Sequence, residues 1–90
     1  MNLNNSTFTI YGKDNCSHCV RAKEFAIANG IEYIYLTLGK NYTKEELVEQ
    51  CAPVIPRTVP QIFRETDSST EYIGGADDFI AFVQKHMKSC

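Results

Sequence analysis

The pattern of hydrophobic and polar positions predicts alternating strands and helices in the first half of the chain. Apolar and polar residues alternate over residues 7–11, and residues 31–38 are rich in β-branched and aromatic side chains, so each segment is predicted to be a strand. Between them, Gly30 is a candidate helix C-cap. It follows a predicted helix over residues 20–29, whose inner face carries Ala22, Phe25, Ala26 and Asn29 at helical spacing.

The second half continues with a short helix, a hairpin and a last helix. Thr43 to Glu46 match the capping-box pattern, and Leu47, Val48 and Cys51 are predicted to form the inner face of the helix that follows. The prolines at positions 53 and 56 are expected to end that helix. Residues 60–64 and 71–73 are predicted strands, joined by a polar turn over residues 65–70 and followed by two glycines.

Two aspartates open the last predicted helix, whose apolar side chains recur at helical spacing at Phe79, Phe82, Val83 and Met87. The predicted order is therefore β-α-β-α-β-β-α. One β-α-β crossover followed by an antiparallel hairpin gives an α/β fold, with a mixed four-stranded sheet and three helices distributed over both faces.

Composition and charge narrow the functional class. Ninety residues suffice for a single domain, 1–90, with its core over about residues 7–87. The net charge of -2 and the scattered lysines argue against nucleic-acid binding, and no apolar run reaches the ~20 residues of a membrane span. Residues 1–6 lack the basic and apolar regions of a signal peptide. We therefore expect a cytoplasmic, monomeric protein.

The cysteines carry the most specific chemical signal. Cys16 and Cys19 lie three residues apart where the first strand passes into the first helix. Free N–H groups and the helix dipole at such an end favour a thiolate, and a thiolate beside a second thiol makes a dithiol/disulfide redox centre. Cys51 is expected to be a small buried hydrophobe, and Cys90 an exposed thiol at the chain end.

Three segments together resemble the glutaredoxin family of the thioredoxin fold: residues 11–19 with their C-S-H-C pair, Arg57-Thr58-Val59-Pro60, and Gly74-Gly75-Ala76-Asp77-Asp78. The resemblance implies a glutathione-dependent thiol–disulfide oxidoreductase that reduces protein disulfides and glutathione mixed disulfides. It further implies that Cys16 is the nucleophile and that Cys19 is the resolving thiol, the two forming the redox-active disulfide. An acidic thiol is also a good leaving group, which favours a de-glutathionylating enzyme.

The same resemblance implies where glutathione binds. Val59 and Pro60 are similar to the family's cis-proline bend, whose backbone pairs with the cysteinyl unit of glutathione by strand addition. Ala76 and Asp77 would bind the γ-glutamyl end through backbone N–H groups and the Asp77 carboxylate. Arg57 would pair with a glutathione carboxylate. The implied glutathione-binding residues are Lys13, His18, Arg57, Thr58, Val59, Pro60, Gly75, Ala76 and Asp77.

The motif departs from the common C-P-Y-C pair at two positions. Ser17 replaces the proline, and some glutaredoxins with this serine resemble glutathione-ligated [2Fe–2S] cluster carriers. His18 replaces the tyrosine and resembles the histidine of periplasmic disulfide oxidases, so we hypothesise a more oxidising dithiol. An unchanged redox potential in His18→Tyr would contradict this hypothesis.

Other readings of the cysteine pair stay open at this point. A redoxin reduced by thioredoxin reductase would use the same fold and the same C-x-x-C motif. A zinc site would need ligands beyond Cys16, Cys19 and His18, and the chain contains no second C-x-x-C or H-x-x-x-H. The expected partners are glutathione and disulfide-containing or glutathionylated proteins, with ribonucleotide reductase as a candidate client by analogy with the family.

Overall fold

The chain forms four strands and three helices in the order β-α-β-α-β-β-α. The computed structural model describes residues 6–53 and 58–88, with side chains through residue 86. The longest helix has 13 residues, and no helix within the described residues is long and apolar enough to cross a bilayer. The elements are β1 (Thr7–Gly12), α1 (Ser17–Ala28), β2 (Tyr33–Thr37), α2 (Lys44–Cys51), β3 (Gln61–Glu65), β4 (Thr70–Gly74) and α3 (Ala76–Lys88).

The strands form one mixed sheet in the order β2-β1-β3-β4. β1 runs parallel to β2, with Phe8 opposite Tyr33, and the two are joined through α1, since parallel neighbours need a crossover connection. β1 runs antiparallel to β3, with Ile10 opposite Ile62, and β3 and β4 form the predicted hairpin. This is the predicted thioredoxin-like fold, and β1, which leads to the cysteine pair, is paired on both sides.

Helix α1 begins earlier than the apolar spacing predicted, at Ser17, because Cys16 supplies its N-cap. At its other end the predicted glycine cap is confirmed: Gly30 has φ +64 and the Ile31 N–H bonds to the Ala26 carbonyl at 2.9 Å, a Schellman ending. Asn29 does not lie on the buried face as expected. It is exposed, and its side-chain amide donates to the Phe25 carbonyl at 2.9 Å because it stands at the C-cap.

Helices α1 and α3 pack together against one face of the sheet. Ala22 and Ala26 are fully buried, and such small side chains let α1 approach the sheet closely. α3 contributes larger side chains, Phe79 and Val83, which are also fully buried. Phe79 stacks on Phe8 of β1 with ring centroids 5.0 Å apart. This cluster fixes the position of α1 relative to α3 and therefore of their N-terminal ends.

Helix α2 covers the opposite face of the sheet with a smaller cluster. Its capping box is confirmed, with the Glu46 N–H donating to Thr43 Oγ1 at 3.2 Å and the Thr43 N–H donating to Glu46 Oε1 at 2.8 Å. Leu47 and Cys51 are buried as predicted. Val48 is not, since 38% of it is exposed: it follows Leu47 directly and points away from the sheet.

The end of α2 agrees with the prediction as far as the structure describes it. The helix ends at Cys51, two residues before Pro53. The second predicted helix breaker, Pro56, lies outside the described residues, as do the side chain of Met87, predicted on the inner face of α3, and the terminal Cys90.

Candidate active site

Cys16 occupies the N-cap position of α1. Its backbone is extended, with φ -120 and ψ 110, and its Sγ accepts a hydrogen bond from the Cys19 N–H at 3.3 Å. The first turn of α1 contains no acidic residue, so no carboxylate offsets the positive end of the helix dipole beside the sulfur. Cys16 is 9% exposed, which leaves an edge of the side chain accessible. The sulfur thus occupies a helix N-terminus, a position that in general favours negatively charged groups.

Cys19, one turn further along, is fully buried. Burial is the main cause that raises the pKa of its thiol to about 11, and the hydrogen bond with Cys16 adds to it. The backbone of Lys13 and the Tyr35 side chain oppose the rise by hydrogen bonding to the sulfur. Cys19 is therefore a protonated thiol at neutral pH, directly behind Cys16. All the cysteines within the described residues (16, 19 and 51) are free thiols.

Two tyrosine hydroxyls hold the end of β1 beneath the cysteines. Tyr35 donates to the Lys13 carbonyl at 3.1 Å, and buried Tyr42 donates to the Gly12 carbonyl at 2.7 Å. Position 12 has no space for a side chain, since a Cβ there would lie 2.5 Å from the Tyr35 oxygen. Burial is the main cause that raises the pKa of each of these tyrosines to about 12, so both stay hydrogen-bond donors. Sequence reasoning missed both tyrosines, because a strand pattern does not say which hydroxyl meets which carbonyl.

The loop before β3 faces Cys16 Sγ. The Val59–Pro60 peptide bond is cis, as the resemblance predicted. The Val59 carbonyl lies 3.7 Å from Cys16 Sγ. Gln61 holds Thr58, the residue before Val59, since the Gln61 side-chain amide donates to the Thr58 carbonyl at 2.7 Å. The backbone of Val59 is thus held beside the atom that would attack a disulfide.

The start of α3 closes the site from the other side. Gly74 has φ +125, and a Cβ there would lie 2.4 Å from a carboxylate oxygen of Asp78, so only glycine fits. That carboxylate accepts from the Gly75 N–H at 3.2 Å and caps the helix. The N–H groups of Ala76 and Asp77 have no acceptor within the helix, as in any first helical turn.

An ion pair that sequence reasoning missed joins the two helix ends. The Arg21 guanidinium of α1 hydrogen-bonds to the Asp77 carboxylate of α3. The two side chains are 47% and 86% exposed, so the pair adds little stability. Their sequence separation of 56 residues gave no local signal for the pairing.

An open groove of about 310 Å³, the α3 groove, brings most of the predicted residues together. It is lined by the predicted His18, Thr58, Val59, Pro60, Gly75, Ala76 and Asp77, and also by Arg21 and Asp78. His18 is exposed in the first turn of α1.

Among the predicted residues that the structure describes, Lys13 is not part of the α3 groove. Lys13 lines a neighbouring pocket of about 230 Å³, the α2 groove, together with Leu38, Tyr42, Lys44, Leu47, Thr58 and Val59. Arg57 lies outside the described residues.

The remaining thiol that the structure describes lies apart from this site. Cys51 is 3% exposed in the α2 cluster, where burial raises its pKa, as expected of a small buried hydrophobe. In residues 6–53 and 58–88, no three or more His, Cys, Asp or Glu side chains are arranged to hold a metal ion.

Comparison with known proteins assigns the family. The glutaredoxin family model matches residues 8–67. Glutaredoxin 1 of Escherichia coli is 34% identical over 84 residues, covering 87% of this chain and 93% of that protein. The structure of reduced E. coli glutaredoxin has a TM-score of 0.72 at 34% identity, covering 91% of this chain and 98% of that one.

A buckwheat glutaredoxin–glutathione complex shares the fold, with a TM-score of 0.65 at 23% identity, covering 97% of this chain and 74% of that one. The family match, the fold and the cysteine pair at the start of α1 agree with one another. The chain belongs to the glutaredoxin family and is a thiol–disulfide oxidoreductase.

Proposed function

We propose that this enzyme reduces protein disulfides and glutathione mixed disulfides at the expense of glutathione, with Cys16 as nucleophile and Cys19 as resolving thiol. The observation that supports it best is the position of Cys16 Sγ. The sulfur caps α1, 3.3 Å from the Cys19 N–H, and lies 3.7 Å from the Val59 carbonyl at the edge of the α3 groove. A sulfur there is both stabilised as a thiolate and open to a substrate disulfide.

The monothiol reaction needs Cys16 alone. Its thiolate attacks the glutathione sulfur of a mixed disulfide, a new Cys16–glutathione disulfide forms, and the protein leaves as a thiolate. The thiolate of a second glutathione then attacks the bound glutathione sulfur, which releases glutathione disulfide and restores the Cys16 thiolate. Because the N-terminus of α1 stabilises the departing sulfur, Cys16 is a good leaving group in this second step.

The dithiol reaction adds Cys19. After Cys16 has attacked a protein disulfide, Cys19 loses its proton and attacks the Cys16 sulfur, which releases the second protein thiolate and leaves a Cys16–Cys19 disulfide. Two glutathione molecules then reduce that disulfide. The pKa of about 11 keeps Cys19 protonated at neutral pH, so it does not compete with Cys16 for the substrate. Cys19 is thus fully buried and protonated at neutral pH, as the role of a resolving thiol requires.

Glutathione is proposed to lie along the α3 groove. Its γ-glutamyl carboxylate would meet the N–H groups of Ala76 and Asp77 at the start of α3, while the Asp77 carboxylate would receive the ammonium. Because Arg21 also pairs with Asp77, it would hold that carboxylate in the groove. The backbone of Val59 would pair with the cysteinyl unit, as in strand addition.

The glycyl carboxylate would then point past Thr58 toward Lys13, at the junction with the α2 groove. Arg57, by the family resemblance, would assist there.

The client protein, the oligomeric state, the location and the cluster-binding alternative stay predictions. Ribonucleotide reductase as a client, a monomeric state, a cytoplasmic setting and the [2Fe–2S] alternative all rest on composition or on the family resemblance. Glutathione and disulfide-containing or glutathionylated proteins are the partners that the proposed reaction requires.

The test follows NADPH consumption by the pure protein with cysteine–glutathione mixed disulfide, glutathione and glutathione reductase. Wild type and Cys19→Ser should turn over, whereas Cys16→Ser should lose activity at least about a thousandfold, because no other thiol within the described residues caps α1. Cys51→Ala is the matched control and should stay active. Turnover with thioredoxin reductase instead of glutathione would assign the redoxin alternative.

Asp77→Asn tests the proposed binding site for glutathione in the α3 groove, which we call the glutathione seat. Loss of the charge should raise KM for the mixed disulfide about fivefold, which corresponds to a lost interaction of about 1 kcal/mol. The free energy of unfolding should change by less than about 1 kcal/mol, since the ion pair with Arg21 is exposed. An unchanged KM would remove Asp77 from the proposed seat.

A further inference from the structure

The α2 groove is a second depression beside the reacting sulfur, and most of it has no part in the proposed reaction. Leu38, Tyr42, Lys44 and Leu47 line it, and none of them lines the α3 groove. They come from the end of the β2 segment and from α2, on the face of the sheet opposite α1 and α3. The groove therefore offers a surface that differs in position and chemistry from the glutathione seat.

The α2 groove is continuous with the site of chemistry. Thr58 and Val59 line both grooves, and the Val59 carbonyl lies 3.7 Å from Cys16 Sγ. A disulfide presents two substituents, one on each sulfur. When a glutathionyl group occupies the α3 groove, the chain attached to the other sulfur has to leave past Val59 by another route. The α2 groove begins at that residue.

The floor of the α2 groove is apolar. Tyr42 and Leu47 are 5% and 4% exposed, so they form a fixed floor, and Leu38 adds a more open wall with 38% of its surface exposed. The Tyr42 hydroxyl already donates to the Gly12 carbonyl, so Tyr42 presents mainly its ring to the groove. A floor of this kind accepts an apolar side chain, because burial removes apolar surface of both partners from water.

The rim of the α2 groove is positively charged. Lys13 and Lys44 are exposed there, and no acidic residue lines the groove. Within residues 6–53 and 58–88, the ion pairs of the protein involve neither lysine. The chain as a whole carries -2, so this local positive charge is a property of the groove and not of the surface at large.

We propose that the α2 groove docks the segment of a protein substrate next to its reactive cysteine, and that it selects an apolar side chain accompanied by a carboxylate. This docking role rests on the proposed function, since the cysteine of the docked segment is the one that Cys16 releases. Because Lys13 would face the glycyl carboxylate of glutathione, Lys44 would guide acidic segments, and the apolar floor would retain them. Basic segments would be disfavoured by like charge at the rim.

The test uses two synthetic peptides, each with one glutathionylated cysteine followed by a leucine, which differ only in carrying two aspartates or two lysines after that leucine. Wild-type enzyme should show a kcat/KM about tenfold higher for the acidic peptide at low salt, and the ratio should fall as salt screens the lysines. Cysteine–glutathione mixed disulfide, which has no residue beyond the cysteine on the side of the second sulfur, is the reference substrate.

Lys44→Glu should lower kcat/KM for the acidic peptide about tenfold and raise it for the basic one, without changing the reference substrate. An acidic side chain at the first position of α2 interacts favourably with the helix dipole, so this variant should fold at least as well as wild type. Lys85→Glu, an exposed lysine on α3, is the matched control and should behave as wild type. Leu38→Ser should lower kcat/KM for both peptides and leave the reference substrate unchanged.

Equal kcat/KM for the two peptides, or a Lys44→Glu variant with the wild-type ratio, would overturn the docking role while leaving the proposed function intact. Failure to turn over cysteine–glutathione mixed disulfide would instead overturn the proposed function. The reference substrate therefore separates the two failures.

Discussion

The N-terminal ends of α1 and α3 meet at the same site but are built in opposite ways. The end of α1 has no acidic residue in its first turn, and its cap is the sulfur of Cys16. The end of α3 carries Asp77 and Asp78 in its first turn. Asp78 caps the Gly75 N–H, and Asp77 pairs with Arg21 of α1. One helix end is left positive, and the other is largely neutralised by its own side chains.

The difference shows how one structural feature serves two chemical purposes. A helix end stabilises whichever negative charge lies on it. At α1 the capping group is Cys16 Sγ, so the dipole acts on the sulfur. At α3 the carboxylates of Asp77 and Asp78 offset much of the positive potential of the helix end. The backbone N–H groups of Ala76 and Asp77 therefore lie beside a negative charge. Such an end suits a ligand carrying both an ammonium and a carboxylate, as the γ-glutamyl group does.

The two helices are also anchored differently. α1 contacts the sheet through Ala22 and Ala26, whereas α3 is held by the ring of Phe79, fully buried three residues after it begins. The ring packs against both Phe8 of β1 and Phe25 of α1, at centroid distances of 5.0 and 5.7 Å. Phe79 therefore joins the start of α3 to β1 and to the C-terminal half of α1.

Phe79→Ala should have the largest effect on this arrangement. Removing a fully buried ring costs about 3–5 kcal/mol of unfolding free energy and should loosen both helix ends together. Urea denaturation measures the loss. Ile27→Ala, at a side chain of α1 that is 58% exposed, is the control and should cost under about 1 kcal/mol. A similar loss in both variants would mean that the ring does not anchor the site.

The pH dependence of the dithiol reaction should separate the two cysteines of α1. Because the pKa of Cys19 is about 11, its thiolate fraction rises about tenfold per pH unit between pH 7 and 9. Release of glutathione from the Cys16–glutathione disulfide of the wild type should rise with that slope. In Cys19→Ser no such release should occur at any pH. A flat wild-type profile would show that proton loss from Cys19 does not limit the step.

Asp78→Ala should destabilise the α3 end by about 1 kcal/mol, as expected for loss of a helix cap. The Gly75 N–H would lose its acceptor, and Gly74 would lose the neighbour that confines it. Thermal or urea unfolding measures the change. Asp67→Ala, at an exposed position in the β3–β4 turn, provides the comparison and should be neutral. If both variants unfold alike, the carboxylate of Asp78 is not a cap.

Ser17→Asp should make the start of α1 resemble that of α3. Its expected effect on stability is the smallest of these substitutions at the helix ends. An acid in the first turn should add about 0.3–1 kcal/mol to stability through the helix dipole. The same charge beside Cys16 should slow alkylation by iodoacetamide about threefold at neutral pH. Ser17→Asn keeps the size without the charge and should alkylate at the wild-type rate. Faster alkylation in Ser17→Asp would contradict the role assigned to the uncompensated helix end.

The elements and the cysteine pair could be predicted from the sequence because their signals are local. Alternation, helical spacing and the capping box of Thr43 each lie within a few residues, so the element order followed directly. The errors also have local causes. Asn29 and Val48 fit a helical stripe by spacing, yet one stands at a C-cap and the other beside the buried row. Spacing alone cannot resolve a rotation of one residue at a helix end.

The site was predictable only in part, because its geometry joins distant segments. The cysteine motif, the Val59–Pro60 bend and the start of α3 could be recognised from their residues. The pair between Arg21 and Asp77 and the two tyrosine hydroxyls beneath Cys19 could not, since they cross the helices and the sheet. Lys13, predicted with the other ligand residues, lies in a separate groove because the Thr58–Val59 backbone stands between the two.

The sequence by itself determined the fold class and the position of the cysteine pair at the start of a helix, because these depend on residues that are neighbours in the chain. Only the tertiary structure decided how the two cysteines differ, since the pKa of Cys19 follows from burial by segments far away in sequence. It also decided that two grooves and not one meet at Cys16. Packing of the sheet between helices on both faces sets those distances, and no local pattern encodes them.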